Sequence, residues 1–220
     1  DITTTELVTT LVAFSALVIA VFLMAGWTQV SPRWLLTKQW SVLFWSVLAA
    51  VGLVIPVTFL QERLPELPNW IEDQQEMLMT NYWGYLAIGL LAPISEEVVF
   101  RGAILRSLLS TNMRPHVAIT FSAVLFALIH MNPAQMPYAF FAGWLLGWLY
   151  SRTGSILPGI AFHWANNSIA YILYRAYPDK EITLTDLFKG SETHVYMAVF
   201  FSLLICVPAI YQLCLHMRKA

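Results

Sequence analysis

The sequence predicts an all-α fold, a polytopic bundle of transmembrane helices, and its composition and its apolar runs support this prediction. Of the 220 residues, 58% are hydrophobic and only 11% are charged, whereas about a quarter of the residues of a soluble domain are charged. Mean hydropathy is +0.64. Uncharged runs of about 20 residues, long enough to cross ~30 Å of hydrocarbon as a helix, recur along the chain.

Seven apolar runs are the predicted spans, with six and eight as the neighbouring counts. We expect residues 1–220 to form a single transmembrane domain, with a motif-bearing core at about 84–173, two spans before it and one after it. Three runs are uncharged throughout, at 7–27, 41–60 and 194–216. The other runs are shorter or contain polar residues, and they cover 82–110, 116–131, 138–150 and 155–174.

Basic residues predict the orientation, because cytoplasmic loops are enriched in Lys and Arg. With the N-terminus outside and the C-terminus in the cytoplasm, eight basic residues lie on the inside and four on the outside. We expect a multi-pass protein of a bacterial plasma membrane or a thylakoid-type membrane. The inside residues are Arg33, Lys38, Arg101, Arg106, Arg114, Arg152, Arg218 and Lys219, and the outside residues are Arg63, Arg175, Lys180 and Lys189.

Two polar segments separate the runs, and neither predicts a nucleic-acid site. The acidic segment 61–80 is interrupted by Pro65 and Pro68, so we expect a partly ordered surface connection. The second polar segment covers 176–193. Both are interpreted as solvated surface, with substrate docking as the alternative. The net charge is -1 and the basic residues are scattered, whereas binding to nucleic acid requires a basic face.

Ionisable groups within the runs indicate where function lies, because each costs about 2.5–3.5 kcal/mol to place in a membrane. Asn166 and Asn167 follow His163 by about one helical turn and make the run 155–174 more polar. The polar residues that the runs contain are Glu96, Glu97, Arg101, Arg106, His130, His163, Asn166 and Asn167.

The first cluster combines two adjacent carboxylates with a cation. Glu97 and Arg101 are four residues apart, so they share a helical face and can form an ion pair. Glu96 points about 100° away on the helix and lacks that partner. An unpaired carboxylate in a buried place is suited to act as a general base. The alternative is a helix end whose charged side chains reach water.

The other two clusters carry the histidines. His130 ends an apolar run, where a histidine with a purely structural role is the alternative. His163 and Asn167 lie one turn apart on one face, with hydrogen bonding between helices as the alternative. Together the acids, the histidines and the asparagine provide a base and neutral donors suited to amide hydrolysis. The serine motif Gly-x-Ser-x-Gly and the zinc motif His-Glu-x-x-His are absent from the sequence.

Three motifs in this order resemble the CPBP family, the CAAX-processing and bacteriocin-processing intramembrane proteases that are also called the Abi family. The family pattern is Glu-Glu-x-x-x-Arg, then Phe-x-x-x-His, then His-x-x-x-Asn. Each motif lies on a separate predicted helix. The matching residues are Glu96, Glu97 and Arg101, then Phe126 and His130, then His163 and Asn167.

The resemblance implies a CAAX-protease-like helical core and an endopeptidase that cleaves a membrane-associated peptide or protein within the lipid bilayer. It implies that Glu96 activates water with help from His130, and that His163 and Asn167 stabilise the oxyanion. Glu97 and Arg101 would then brace the helix that carries Glu96.

The cofactor question stays open at this point. Glu96, His130 and His163 are candidate ligands for a divalent metal such as zinc. The resemblance is equally compatible with a glutamate-dependent protease that requires no metal.

Two other classes of function are compatible with buried Glu and His residues. A non-catalytic membrane scaffold or a bacteriocin self-immunity protein could keep the motifs as a hydrogen-bond network and act through a membrane-protein partner. Alanine at Glu96 would leave such a protein active. A transporter or proton relay would show two repeated halves with interrupted helices, and the sequence shows no such halves.

The protease interpretation requires Glu96 and His130 to lie close together. At ~1.5 Å per residue, an unbroken run over 82–110 places Glu96 near mid-membrane and His130 about 10–15 Å away in depth. The two side chains meet only if the helix before His130 is short or tilted. Pro133 and Pro137 would allow a re-entrant corner there, lining a wet cavity.

Overall fold

The computed structural model describes residues 2–29, 40–177 and 182–217, and within these ranges every regular element is helical. The predicted all-α fold is therefore confirmed. The basic residues Arg33, Lys38, Lys180, Arg218 and Lys219, which contributed to the predicted orientation, lie outside the described residues.

Each of the seven predicted runs is helical, with ends that differ from the prediction by a few residues. Of the described helices, α1, α2 and α11 are long and apolar enough to cross a membrane, and α7 is a shorter apolar helix. The count of seven spans stays a prediction. The helices outside the central run are α1 (Thr4–Met24), α2 (Trp40–Gln61), α3 (Glu72–Thr80), α7 (Pro115–Ile129), α8 (Met136–Thr153), α9 (Leu157–Ala176), α10 (Leu184–Leu187) and α11 (Glu192–His216).

The central run, residues 82–110, is one continuous helix in which α-helical and π-helical segments alternate. The two carboxylates of the first motif lie on a short α-helical segment with a π-helical segment on each side. π-Helical segments are rare and are frequently found at functional sites. The segments are α4 (Tyr82–Gly84), π1 (Tyr85–Leu91), α5 (Ala92–Glu97), π2 (Val98–Leu105) and α6 (Arg106–Ser110).

The turn after α1 packs against π2. Thr28 is buried, and its Oγ1 donates a hydrogen bond of 2.6 Å to the carbonyl of Val98. Gly102 makes room for it, since a Cβ at this position would lie 2.2 Å from Cγ2 of Thr28. The N-terminal helix therefore supports the segment that directly follows Glu97.

Helix α2 packs between α9 and α11 in a cluster of small and branched apolar side chains. Small residues allow the helix backbones to approach closely, as in other membrane bundles. At Gly52 the backbones of α2 and α11 approach closely, because a Cβ there would lie 2.6 Å from the backbone nitrogen of Cys206 in α11. Ala49 and Ala50 are almost completely buried beside it.

The connection 61–80, predicted to be a partly ordered surface segment, contains helix α3 over 72–80. Ile71, Gln75, Leu78 and Met79 recur with the spacing of one helical face, and all four line the same cavity. The acidic residues between them hid this short apolar pattern in the sequence. In the second polar segment, Thr183 begins α10 with a capping box.

The polar loops meet at one end of the bundle. The backbone nitrogen of Ala134 donates to the carbonyl of Pro68 over 3.2 Å. The backbone nitrogen of Leu184 donates to Oε1 of Glu62 over 2.7 Å. These two bonds join the connections that follow α2, α7 and α9 in the chain.

We expect Gly52→Ala to destabilise the bundle by about 1–3 kcal/mol, because the added methyl group meets backbone atoms that cannot rotate away. Thermal unfolding of the detergent-solubilised protein measures this effect. Val51→Ala, on an exposed position of the same helix, is the control and should change the midpoint far less. Equal midpoints for the two variants would contradict the close contact.

Candidate active site

A cavity of about 390 Å³ lies inside the bundle, between α3, the central run, α7, α8 and α9. Five of the polar residues singled out in the sequence line it. Helix α7 has 15 residues and ends at Ile129, and His130, which follows it, lines the same cavity as Glu96. The five residues are Glu96, His130, His163, Asn166 and Asn167.

Glu97 and Arg101 lie behind the cavity wall and are completely buried. Nη1 of Arg101 is 2.7 Å from Oε1 of Glu97, within one helical turn. Nη2 of Arg101 donates to the carbonyl of Gly143 in α8 over 3.0 Å, and its Cζ lies 4.4 Å from the centre of the Phe126 ring in α7. Arg106 lies elsewhere and contacts the carbonyl of Trp27.

His163 joins the two carboxylates. Its Nδ1 is 3.3 Å from Oε1 of Glu97, and its Nε2 is 3.7 Å from Oε2 of Glu96. An ionised carboxylate can only accept, so Nδ1 of His163 carries the proton that Glu97 binds. The gap to Glu96 is too long for a direct hydrogen bond and leaves space for a group that contacts both side chains.

The end of α7 fixes the ring of His130. The backbone nitrogen of His130 donates to Ala127, because the last turn tightens, and this leaves the carbonyl of Phe126 without its usual helical donor. Nδ1 of His130 lies 2.7 Å from that carbonyl. A carbonyl only accepts, so Nδ1 is the donor and the neutral ring offers Nε2 as an acceptor.

The side chain of Asn167 bonds to a carbonyl of the central run that has no main-chain donor. In a π-helix the carbonyl of Ile88 would accept from residue 93, but that residue is Pro93 and has no N–H group. Nδ2 of Asn167 donates to this carbonyl instead, over 2.9 Å. Nδ2 of Asn166 donates in turn to Oδ1 of Asn167 over 3.4 Å.

Gly159 is a site residue that sequence reasoning missed. A Cβ at this position would lie 2.6 Å from Oε2 of Glu97, so the carboxylate fits only against a bare backbone. Gly159 precedes His163 by four residues and therefore shares its helical face. That spacing was the available signal.

Two buried carboxylate oxygens have no hydrogen-bond partner in the described part of the chain. They are Oε2 of Glu96 and Oε2 of Glu97, and both atoms are buried. Only the first belongs to a side chain that reaches the cavity, since Glu96 is 29% exposed and Glu97 is 0% exposed. The geometry thus distinguishes two adjacent glutamates, one facing the cavity and one behind it.

The arrangement does not fit a metal centre. Within 2–29, 40–177 and 182–217, no group of three or more His, Cys, Asp or Glu side chains is placed to hold a metal ion. The predicted ligands Glu96, His130 and His163 line one cavity without forming such a cluster.

Comparison with known proteins bears on the same segment. A family model described as type II CAAX prenyl endopeptidase Rce1-like matches residues 78–169. The resemblance to the CPBP family is confirmed. The Rce1-like segment contains Glu96, Glu97, His130 and His163, and it excludes α1, α2 and α11. Those three helices are long and apolar enough to cross a bilayer, so the chain is a membrane protein.

A relative and the absence of structural matches complete the comparison. Over 78 residues the chain is 33% identical to the UPF0177 protein YxdF of Lactococcus lactis subsp. lactis (strain IL1403). The alignment covers 34% of this chain and 41% of that protein, so it spans less than half of either. No solved structure matches the chain.

We expect Arg101→Met to cost about 3–5 kcal/mol of stability, because it leaves the Glu97 carboxylate buried without its cation. Unfolding of the purified protein in detergent measures the loss. The double variant Glu97→Leu with Arg101→Met removes both charges at similar volume and should recover most of the stability. A single variant as stable as the unchanged protein would contradict the paired arrangement.

Proposed function

We propose that the protein is an intramembrane endopeptidase that hydrolyses a peptide bond of a membrane-associated substrate with a water molecule activated by Glu96. The observation that supports this most directly is the pair formed by Glu96 and His163. These side chains face each other across 3.7 Å in the cavity, and the buried Glu97–Arg101 pair supports the histidine from behind.

In the proposed reaction, Glu96 accepts a proton from water while the water oxygen attacks the carbonyl carbon of the peptide bond. A tetrahedral intermediate forms, and its oxygen carries the negative charge. The bond between carbon and nitrogen then breaks, and Glu96 returns the proton to the leaving amine. One carboxylate serves as base and then as acid, as general acid–base catalysis allows.

His163 and Asn167 are the proposed donors toward the oxyanion. Nδ1 of His163 donates to Glu97, so its Nε2, which faces Glu96 across the cavity, is the atom that would contact the oxyanion when it carries a proton. Only one of the two Nδ2 hydrogens of Asn167 is used on the carbonyl of Ile88, so the other can donate to the oxyanion. Nε2 of His130 accepts a hydrogen bond and so helps to orient the attacking water.

The walls of the cavity favour a peptide with apolar side chains near the cleaved bond. Ile88, Leu146 and Phe162 are among the lining residues, together with several alanines. The volume of about 390 Å³ lies at the lower end of the range for small-molecule sites, so it holds only a short part of a substrate.

The proposed setting is the lipid bilayer of a bacterial plasma membrane or a thylakoid-type membrane, with the N-terminus outside and the C-terminus in the cytoplasm. This orientation follows from the distribution of Lys and Arg. In this orientation the 61–81 connection is outside. The cavity then lies nearer to the outer face, because α3, which belongs to that connection, lines it.

We expect Glu96→Gln to lower kcat by about 10²–10⁴-fold, because the amide keeps the shape of the side chain but cannot accept the proton from water. The measurement is cleavage of a quenched fluorescent peptide library by protein reconstituted in nanodiscs. Glu66→Gln, an identical change on the exposed connection, is the matched control. A scaffold would keep its cellular effect in the Glu96 variant, and that result would defeat the protease proposal.

We expect cleavage to continue after dialysis against EDTA and in the presence of 1,10-phenanthroline, because the proposed steps use only side chains and water. Thermal stability should likewise stay unchanged, since a bound structural metal would add to it. Activity that disappears with the chelator and returns with added zinc would show that the proposed mechanism is wrong.

A further inference from the structure

A chain of side-chain amides connects the turn at 130–135, which joins α7 to α8, with the cavity. Asn132 is completely buried in this turn. Its Oδ1 accepts from the backbone nitrogen of Trp70 over 3.1 Å, and its Nδ2 donates to Oδ1 of Asn69 over 2.8 Å. Nδ2 of Asn69 then donates to Oε1 of Gln75 over 3.1 Å.

The direction of this chain is fixed at its first member. A backbone N–H group can only donate, so the atom of Asn132 that faces Trp70 must be the oxygen. The opposite atom of Asn132 is then the nitrogen, and the same reasoning sets Asn69. Each amide is thereby oriented by the previous one, and the orientation of Gln75 follows from a main-chain group.

Gln75 is the last member and lines the cavity. Its Oε1 is used by Asn69, which leaves the two N–H groups of Nε2 as its remaining polar atoms. Within the described residues, the side-chain hydrogen bond of Gln75 is the one that its Oε1 accepts from Asn69, and Nε2 makes none. An oriented amide donor therefore stands in the wall of a cavity that is otherwise mostly apolar and that also contains Glu96.

We propose that Gln75 is a substrate-binding residue whose side-chain N–H groups donate to a main-chain carbonyl of the peptide substrate. The inference rests on the proposed function, and the main-chain carbonyl is a group that every peptide contains. A carbonyl is the matching acceptor, because the cavity offers Nε2 of Gln75 as a donor from a fixed direction. Side-chain specificity is left to the apolar walls, so the site accepts peptides by backbone and by apolar shape.

The first test measures binding apart from cleavage. The Glu96→Gln variant in nanodiscs binds members of a fluorescent peptide library with an apolar central segment, and anisotropy gives Kd. Adding Gln75→Glu replaces the donor by an acceptor of the same shape and should weaken Kd by roughly tenfold, the value of one good hydrogen bond. Gln74→Glu adds the same charge on the exposed side of α3 and should leave Kd unchanged.

The second test reverses the end of the amide chain. In Asn69→Asp the new carboxylate accepts from Asn132 but cannot donate to Oε1 of Gln75. It accepts from Nε2 instead, so the amide of Gln75 rotates and presents oxygen to the cavity. This variant should lose affinity as Gln75→Glu does. In an otherwise unchanged enzyme both variants should raise KM and leave kcat nearly the same.

The outcomes separate this inference from the proposed function. Equal Kd values for the Gln75→Glu and Gln74→Glu variants would overturn the role of Gln75, whether or not the protein cleaves peptides. If the protein with Glu96 intact binds peptides without cleaving them, the protease proposal fails, and the same Kd comparison still decides about Gln75. A fall in kcat at constant KM in the Gln75 variant would also overturn a role in binding.

Discussion

The ion pair between Glu97 and Arg101 is the interaction on which the rest of the site depends. Both side chains are completely buried, and a charge in such a place is tolerated only when it is paired and hydrogen-bonded. Arg101 meets this condition with groups of α7 and α8, and Glu97 meets it with His163 of α9. One pair thus connects four parts of the bundle, and the position of His163 relative to Glu96 follows from it.

Irregular backbone supplies the other fixed points. The carbonyl of Ile88 is available because Pro93 lacks a donor, the carbonyl of Phe126 because α7 tightens at its end, and both hold side chains of the cavity. In lipid an unpaired carbonyl costs several kcal/mol, so these bonds are strongly favoured. Departures from regular helix therefore decide where Asn167 and His130 point.

Much of this fold could be predicted from the sequence because apolar runs and a few costly charges leave little freedom. The pairing of Glu97 with Arg101 follows from a spacing of four. The π-helical segments could not be predicted, since Tyr85–Leu91 has the composition of an ordinary apolar helix. Helix α3 was missed because its apolar face is short. The bond between Asn132 and Trp70 joins residues 62 positions apart, and no local pattern indicates such a contact.

The proposed chemistry and the proposed recognition come from different parts of the chain. The segment that matches the Rce1-like model begins at residue 78, so it contains Glu96 and His163 but excludes Asn69 and Gln75. Contacts remote from the reacting bond determine which substrate reaches the transition state. A change in the connection before α3 could therefore alter the choice of peptide while the buried ion pair keeps the distance between Glu96 and His163. On this argument, relatives that share only the matched segment would share the reaction without sharing the substrate.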